Sequence, residues 1–202
     1  MSPVKLAALV VAACLAGCAV RPAPYAPRAA ELYPLSQTQE GISVAVDEFR
    51  TPARSQRYFL ADLPGYDVLP VTVIISNYST HSVVLEPADV LLHQGNEVYD
   101  PLPAPAAAAV VREAHGMLAG PVENYFAGLA FKEQVLTPGE SYHGVMFFIL
   151  PPEAKKPEAH PQLPVFLTDG RMQVVVAARD LATQARLRFG PFTLPPLKDD
   201  DD

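Results

Sequence analysis

Tryptophan is absent from this chain, cysteine occurs only twice, and charged residues make up 18% of it. Each scarcity excludes something. No Lys/Arg cluster occurs and the formal net charge is −7, so there is no basic stripe for a nucleic-acid backbone and no electrostatic hold on anionic lipid. No apolar run reaches the about 20 residues that a bilayer-spanning helix needs. Both cysteines, Cys14 and Cys18, fall near the start; the rest of the chain cannot form a disulfide and must be held by a packed core. Proline, by contrast, occurs 22 times. That content disfavours long helices and suits short strands joined by rigid corners.

The amino terminus reads as an export signal. Lys5 supplies a positive n-region, Leu6 to Leu15 is apolar, and the small residues Ala16 and Gly17 precede Cys18. Leu15-Ala16-Gly17-Cys18 closely resembles a bacterial lipobox. The resemblance implies diacylglycerol attached to Cys18 by a thioether, cleavage between Gly17 and Cys18, and acylation of the new amino terminus. Two or three acyl chains anchor stably where a single myristoyl chain is marginal, at roughly 0.8 kcal/mol per buried methylene. No cofactor beyond this covalent lipid is expected. Residues 1–17 are then a signal peptide, and Lys5 is the only charge they remove. Ala19 stands where aspartate is the inner-membrane retention signal, which in a Gram-negative host implies outer-membrane anchoring with the domain facing the periplasm. Residues 18–34 carry four prolines after the cysteine and few core-forming residues. They read as a semi-extended tether of up to about 50 Å. Lys198 to Asp202 reads as a solvated acidic tail.

Residues 35–197 read as one β-rich domain. Ile42, Val44 and Val46 alternate with Ser43, Ala45 and Asp47, and Val71, Val73 and Ile75 with Thr72, Ile74 and Ser76, the period of half-buried strands. Short strands follow at Val83–Leu85, Val90–Leu92 and Glu97–Tyr99. Pro138-Gly139 turns the chain into Tyr142 to Leu150, which is apolar on both faces and so must be central or covered. A last hairpin pairs Met172–Ala178 with Ala185–Phe189. The pattern predicts a mainly β fold, an immunoglobulin-like antiparallel β-sandwich, with a short alanine-rich helical insert over residues 105–131. Within the insert, Ala106–His115 predicts one helix; Gly116, Gly120 and Pro121 break it before a second from Val122. The insert packs on the sandwich or, alternatively, covers a groove or docks on a partner or the lipid surface.

Pro70 to Asn77, Val84 to Val90, Gly95 to Leu102, and Leu136-Thr137-Pro138-Gly139-Glu140-Ser141 running into Gly144 to Phe148 are together similar to a group of poorly characterised bacterial lipoproteins with an immunoglobulin-like sandwich. The resemblance implies a fold and adds no reaction.

Chemistry-bearing patterns are few. Gly139-Glu140-Ser141-Tyr142-His143 resembles a nucleophile elbow except at its last position, where histidine replaces the required glycine. Asn77-Tyr78-Ser79 fits a glycosylation acceptor but is more simply a turn. His115 and Met117, with His143 and Met146, suggest Cu(I) ligation by imidazole and thioether. In a regular strand, however, residues three apart face opposite ways. His81, His93 and His160 are scattered. The sequence therefore points to a membrane-anchored, non-enzymatic binding or structural module with an envelope protein partner, and in the alternative to a periplasmic copper-binding protein.

Overall fold

The computed structural model describes residues 22–115, 119–150 and 172–194, and not the side chains of 115 and 119. In chain order its elements are strands β1 (Ser36–Gln39) and β2 (Ile42–Glu48), helix α1 (Pro52–Phe59), and strands β3 (Val68–Asn77), β4 (Val83–Leu85), β5 (Val90–Gln94), β6 (Glu97–Tyr99) and β7 (Pro101–Leu102). Helices α2 (Ala104–His115) and α3 (Ala119–Leu129) follow, and then β8 (Gln134–Leu136), β9 (Ser141–Ile149), β10 (Met172–Asp180) and β11 (Arg186–Thr193).

Two antiparallel sheets make a β-sandwich, as the alternation predicts. The first has the order β1-β2-β3-β9-β7. In the second, β10 is central, with β11 on one edge and β5 followed by β4 along the other. β4 and β5 are two halves of one strand interrupted by a turn at Pro87–Asp89, because proline has no N–H for the ladder. β8 extends the sheet from β4 and β6 from β5.

Alternate residues of the two sheets meet between them. Ile42, Val44 and Val46 of β2, Val71, Val73 and Ile75 of β3, and Met146 and Phe148 of β9 pack against Val174 and Val176 of β10 and Leu187 and Phe189 of β11. On the other side of the second sheet, Arg186 and Arg188 of β11 face outward and no helix packs among the described residues. The first sheet has a third layer. Val68, Val145 and Phe147 point away from the sandwich into a second core formed with Phe59 of α1, Ala107, Ala108 and Val111 of α2, and Val122 and Phe126 of α3.

This third layer corrects one expectation and agrees with another. β2 and β3 do not have a solvent face: all ten residues of β3 are buried, and so are the first five of β2. Their small outer residues suit close packing as well as they suit water; Ala45 and Ile74 lie under Ala30. The insert is a packed layer of helices, so removing it would expose Val145 and Phe147. Its second helix begins at Ala119, which puts Gly120 and Pro121 in the first turn. Proline is tolerated there because a first-turn N–H has no intrahelical acceptor.

Three elements give no apolar period to read. α1 is set by its ends: the Thr51 Oγ1 accepts from the Arg54 N–H at 3.3 Å and Pro52 opens the helix. β1 contains no apolar residue and pairs with β2. β7 is two residues on the free edge of β9. Beyond β7 that same edge is closed by Ala130 and Phe131, whose N–H donates to the Val145 carbonyl at 2.9 Å. Gly144 permits this approach, since a Cβ there would lie 2.5 Å from the Phe131 Cα.

Candidate functional site

Cys18, Gly17 and Met117 lie outside the described residues, as does His160, and nothing is described of the His115 side chain. His143 and Met146 do not converge. The β3–β9 register runs without a shift from Val68↔Ile149 to Ser76↔Ser141, so the two point to opposite faces. Met146 is in the sandwich core. His143 stands on the helix side, its ring 6.2 Å from that of Tyr25, and partial burial lowers its pKa. Among the described residues no three His, Cys, Asp or Glu side chains gather as a metal site. Ser141 Oγ donates to Ser76 Oγ at 3.1 Å, and no histidine among the described residues is its partner. The Asn77 amide is buried and fully used: its Nδ2 donates to the His81 and Leu136 carbonyls, and its Oδ1 accepts from the Ser79 N–H. It holds a turn.

A polar cluster around Asp47 has no counterpart in the sequence pattern. The expected tether is packed chain from Pro22 onward. Ala23 N–H donates to the Arg57 carbonyl at 2.9 Å, and Tyr25 lays its ring edge-on to Phe49 and Tyr58, at 5.5 and 5.6 Å. The Tyr25 hydroxyl donates to Asp47 Oδ2 at 2.7 Å. Both oxygens of Asp47 also accept from Arg54 Nη2 at 2.7 Å, while Arg54 Nη1 donates to the Glu48 carbonyl at 2.6 Å. The Arg54 guanidinium lies 4.5 Å from the centre of the Phe49 ring. Burial first, then hydrogen bonds to Tyr33 and Asp47 and the Asp47 charge, push the Tyr25 pKa far above the usual phenol range. The Asp47 carboxylate is thus shared by two donors, the Tyr25 hydroxyl from the arm and the Arg54 guanidinium from α1. The cluster is a clasp for the N-terminal arm.

Next to the clasp is a groove of about 300 Å³, at the small end of the roughly 300–1,000 Å³ usual for ligand sites. Pro22 of the arm, Phe59 and Leu60 at the end of α1, and Pro121, Val122, Tyr125 and Phe126 of α3 line it. Among the described residues its only side-chain polar atom, the Tyr125 hydroxyl, donates to the Tyr58 carbonyl at 2.7 Å, so the described side chains offer mainly hydrocarbon and no free donor. A shallower concavity of about 220 Å³ lies by β7 and Ala130, and a trough of about 510 Å³ runs over Leu91, His93, Val175 and Ala177 between Asp89, Arg186 and Arg188. Arg186 pairs with Asp89 across that trough.

At the far end of the second sheet His81 Nδ1 meets Asp180 Oδ2 at 3.1 Å. The Asp180 carboxylate also accepts from the Thr183 and Ala182 N–H groups, each at 2.8 Å. The Thr183 N–H, with smaller help from His81 and Ala182, holds its pKa below the usual carboxylate value. This too is a turn clamp.

No family model matches this chain, and no curated protein does. Among solved structures it is similar to ycdA, a provisionally assigned lipoprotein of Bacillus subtilis subsp. subtilis strain 168, at 14% identity and a TM-score of 0.41, over 77% of this chain and 37% of that one. It is also similar to the yjhA protein of Bacillus subtilis at 12% identity and a TM-score of 0.38, over 70% of this chain and 76% of that one. The chain thus spans little more than a third of the length of ycdA. Likenesses this distant leave the functional argument to the residues themselves.

Proposed function

We propose that this protein is a lipid-anchored bacterial envelope protein that presents its β-sandwich to an envelope partner as a binding or structural module and catalyses no reaction. The single observation that carries the reading is Leu15-Ala16-Gly17-Cys18 behind a basic residue and an apolar run. Kinship with lipoproteins that carry an immunoglobulin-like sandwich, attachment to the outer membrane, and a domain facing the periplasm belong to the same reading. Of the four ligands of the copper alternative, His143 and Met146 lie on opposite faces of β9 and cannot grip one ion, while Met117 and the His115 side chain lie outside what is described; it is not carried further.

The test is Cys18→Ser. The substituted protein should take up no labelled palmitate and should leave the membrane pellet, while in-cell crosslinking of the wild type should recover a defined envelope protein at constant stoichiometry. A Cys18→Ser protein that stays pelleted and labelled would sink the lipid anchor. Crosslinks scattered over abundant envelope proteins would sink the binding module.

A further inference from the structure

A chain held off a membrane by a free spacer has no fixed orientation to it, but this one is clasped almost at its start. Pro22 is four residues after Cys18 and forms one wall of the groove between α1 and α3. The next residue is bonded to the Arg57 carbonyl, and Tyr25 is pinned to Asp47. Four extended residues span at most about 14 Å, so whatever Cys18 carries is confined to the neighbourhood of that groove.

We infer that the groove holds one acyl chain of the lipid on Cys18, so that the helix layer is the membrane-facing side of the domain. This rests on the lipidation proposed above. Chemistry, size and position converge on that occupant. Phe59, Leu60, Val122 and Phe126 offer aliphatic and aromatic carbon, and the one hydroxyl among the described lining side chains is already engaged by the Tyr58 carbonyl; a polar ligand would lose hydration and gain no free side-chain donor in return. About 300 Å³ takes the greater part of one chain and leaves no room for a second, so the remaining chains are left for the bilayer. A second copy of the protein or a peptide would bring backbone carbonyls for which the described lining side chains hold no free donor. The clasp supplies the reason for the proximity, since an arm free from residue 18 to residue 34 would let the lipid wander tens of ångströms from the groove.

Cells grown on a palmitate analogue bearing a diazirine should load Cys18 with a photoreactive chain, and the full-length protein can then be irradiated in phosphatidylcholine vesicles. Most intramolecular adducts should fall on peptides containing Phe59-Leu60 and Pro121 to Phe126. Pro121→Trp, at an exposed position of the wall, should reduce those adducts several-fold without reducing the label. Adducts confined to vesicle phospholipid, or spread evenly over the domain, would overturn the inference and leave lipidation standing. Absence of label from the protein would overturn lipidation, and the inference with it.

Discussion

Replacing Tyr25 by phenylalanine removes one oxygen and leaves the ring contacts with Phe49 and Tyr58 in place, so it removes the hydroxyl's 2.7 Å bond to Asp47 and its longer, 3.5 Å contact with the Tyr33 hydroxyl. A hydrogen bond to a charged group contributes about 1.5–3 kcal/mol. The low end applies here, because Tyr25 is only half-buried and Asp47 keeps both contacts to Arg54, so no charge is orphaned. Tyr25→Phe should therefore cost about 1.5 kcal/mol, which for a domain of this size lowers the unfolding midpoint by roughly 3–6 °C. In a double-mutant cycle with Asp47→Asn the coupling should be at least about 1 kcal/mol. The pH dependence supplies a second reading. The folded-state pKa of Tyr25 is raised above its ordinary value of 10.0, so the contribution is fully present below pH 10 and is lost only as pH rises beyond it. Urea unfolding of the mature chain at pH 7, 9 and 10.5 should show equal Tyr25→Phe penalties at the first two and a smaller one at the third. A coupling within about 0.3 kcal/mol of zero, or a penalty already falling between pH 7 and 9, would refute the clasp. Tyr25→Ala, which also removes the ring, should release the arm and speed tryptic cleavage after Arg28.

Three further outcomes follow from the packing. Gly144→Ala puts a Cβ 2.5 Å from the Phe131 Cα and 2.9 Å from its N; the backbone must move, at about 1–3 kcal/mol, and equal midpoints for mutant and wild type in urea would show that the β9 edge is looser than described. Phe126→Ala empties the site where that ring, 1% exposed, stacks on Phe147 at 5.3 Å; a loss of about 3–5 kcal/mol is expected, measured by thermal unfolding, and less than 1 kcal/mol would mean that α3 does not seal the second core. Asp180→Asn should destabilise the protein at neutral pH, because the folded Asp180 is held below its usual pKa first by the Thr183 N–H and then by His81 and Ala182. A depressed carboxylate contributes stability that is present above the ordinary aspartate range near pH 4 and is lost as pH falls below it, so a mutant penalty as large at pH 2.5 as at pH 7 would contradict the turn clamp.

Which parts of this fold were legible in the sequence follows from the range of the interactions that make them. The hairpin of β10 and β11 was readable because Leu187 and Phe189 point into the core while Arg186 and Arg188 between them stay in water, a contrast written along one strand. β9 was readable as a covered strand for the opposite reason, since Val145 to Ile149 offers no polar face. What covers it was not readable: Val145 and Phe147 meet Phe59 from a helix with little apolar content and Phe126 from the insert, and neither encounter leaves a local period. The arm is the clearest case. Four prolines and the small residues around them read as a spacer because nothing there can build a core, yet the arm docks where the Tyr25 ring finds Phe49 and Tyr58 and its hydroxyl a carboxylate, with Ala23 bonded to Arg57 and Ala30 buried over Ala45 and Ile74. That carboxylate, Asp47, sits where alternation marks the solvent side of β2, and the arginine that holds it comes seven residues later. An aspartate on a strand's apparent outer face, followed within one helical element by an arginine, is thus a place to look for a docked segment before assigning a proline-rich leader to free space. Two donors on one half-buried carboxylate are enough to turn a tether into a wall of the domain.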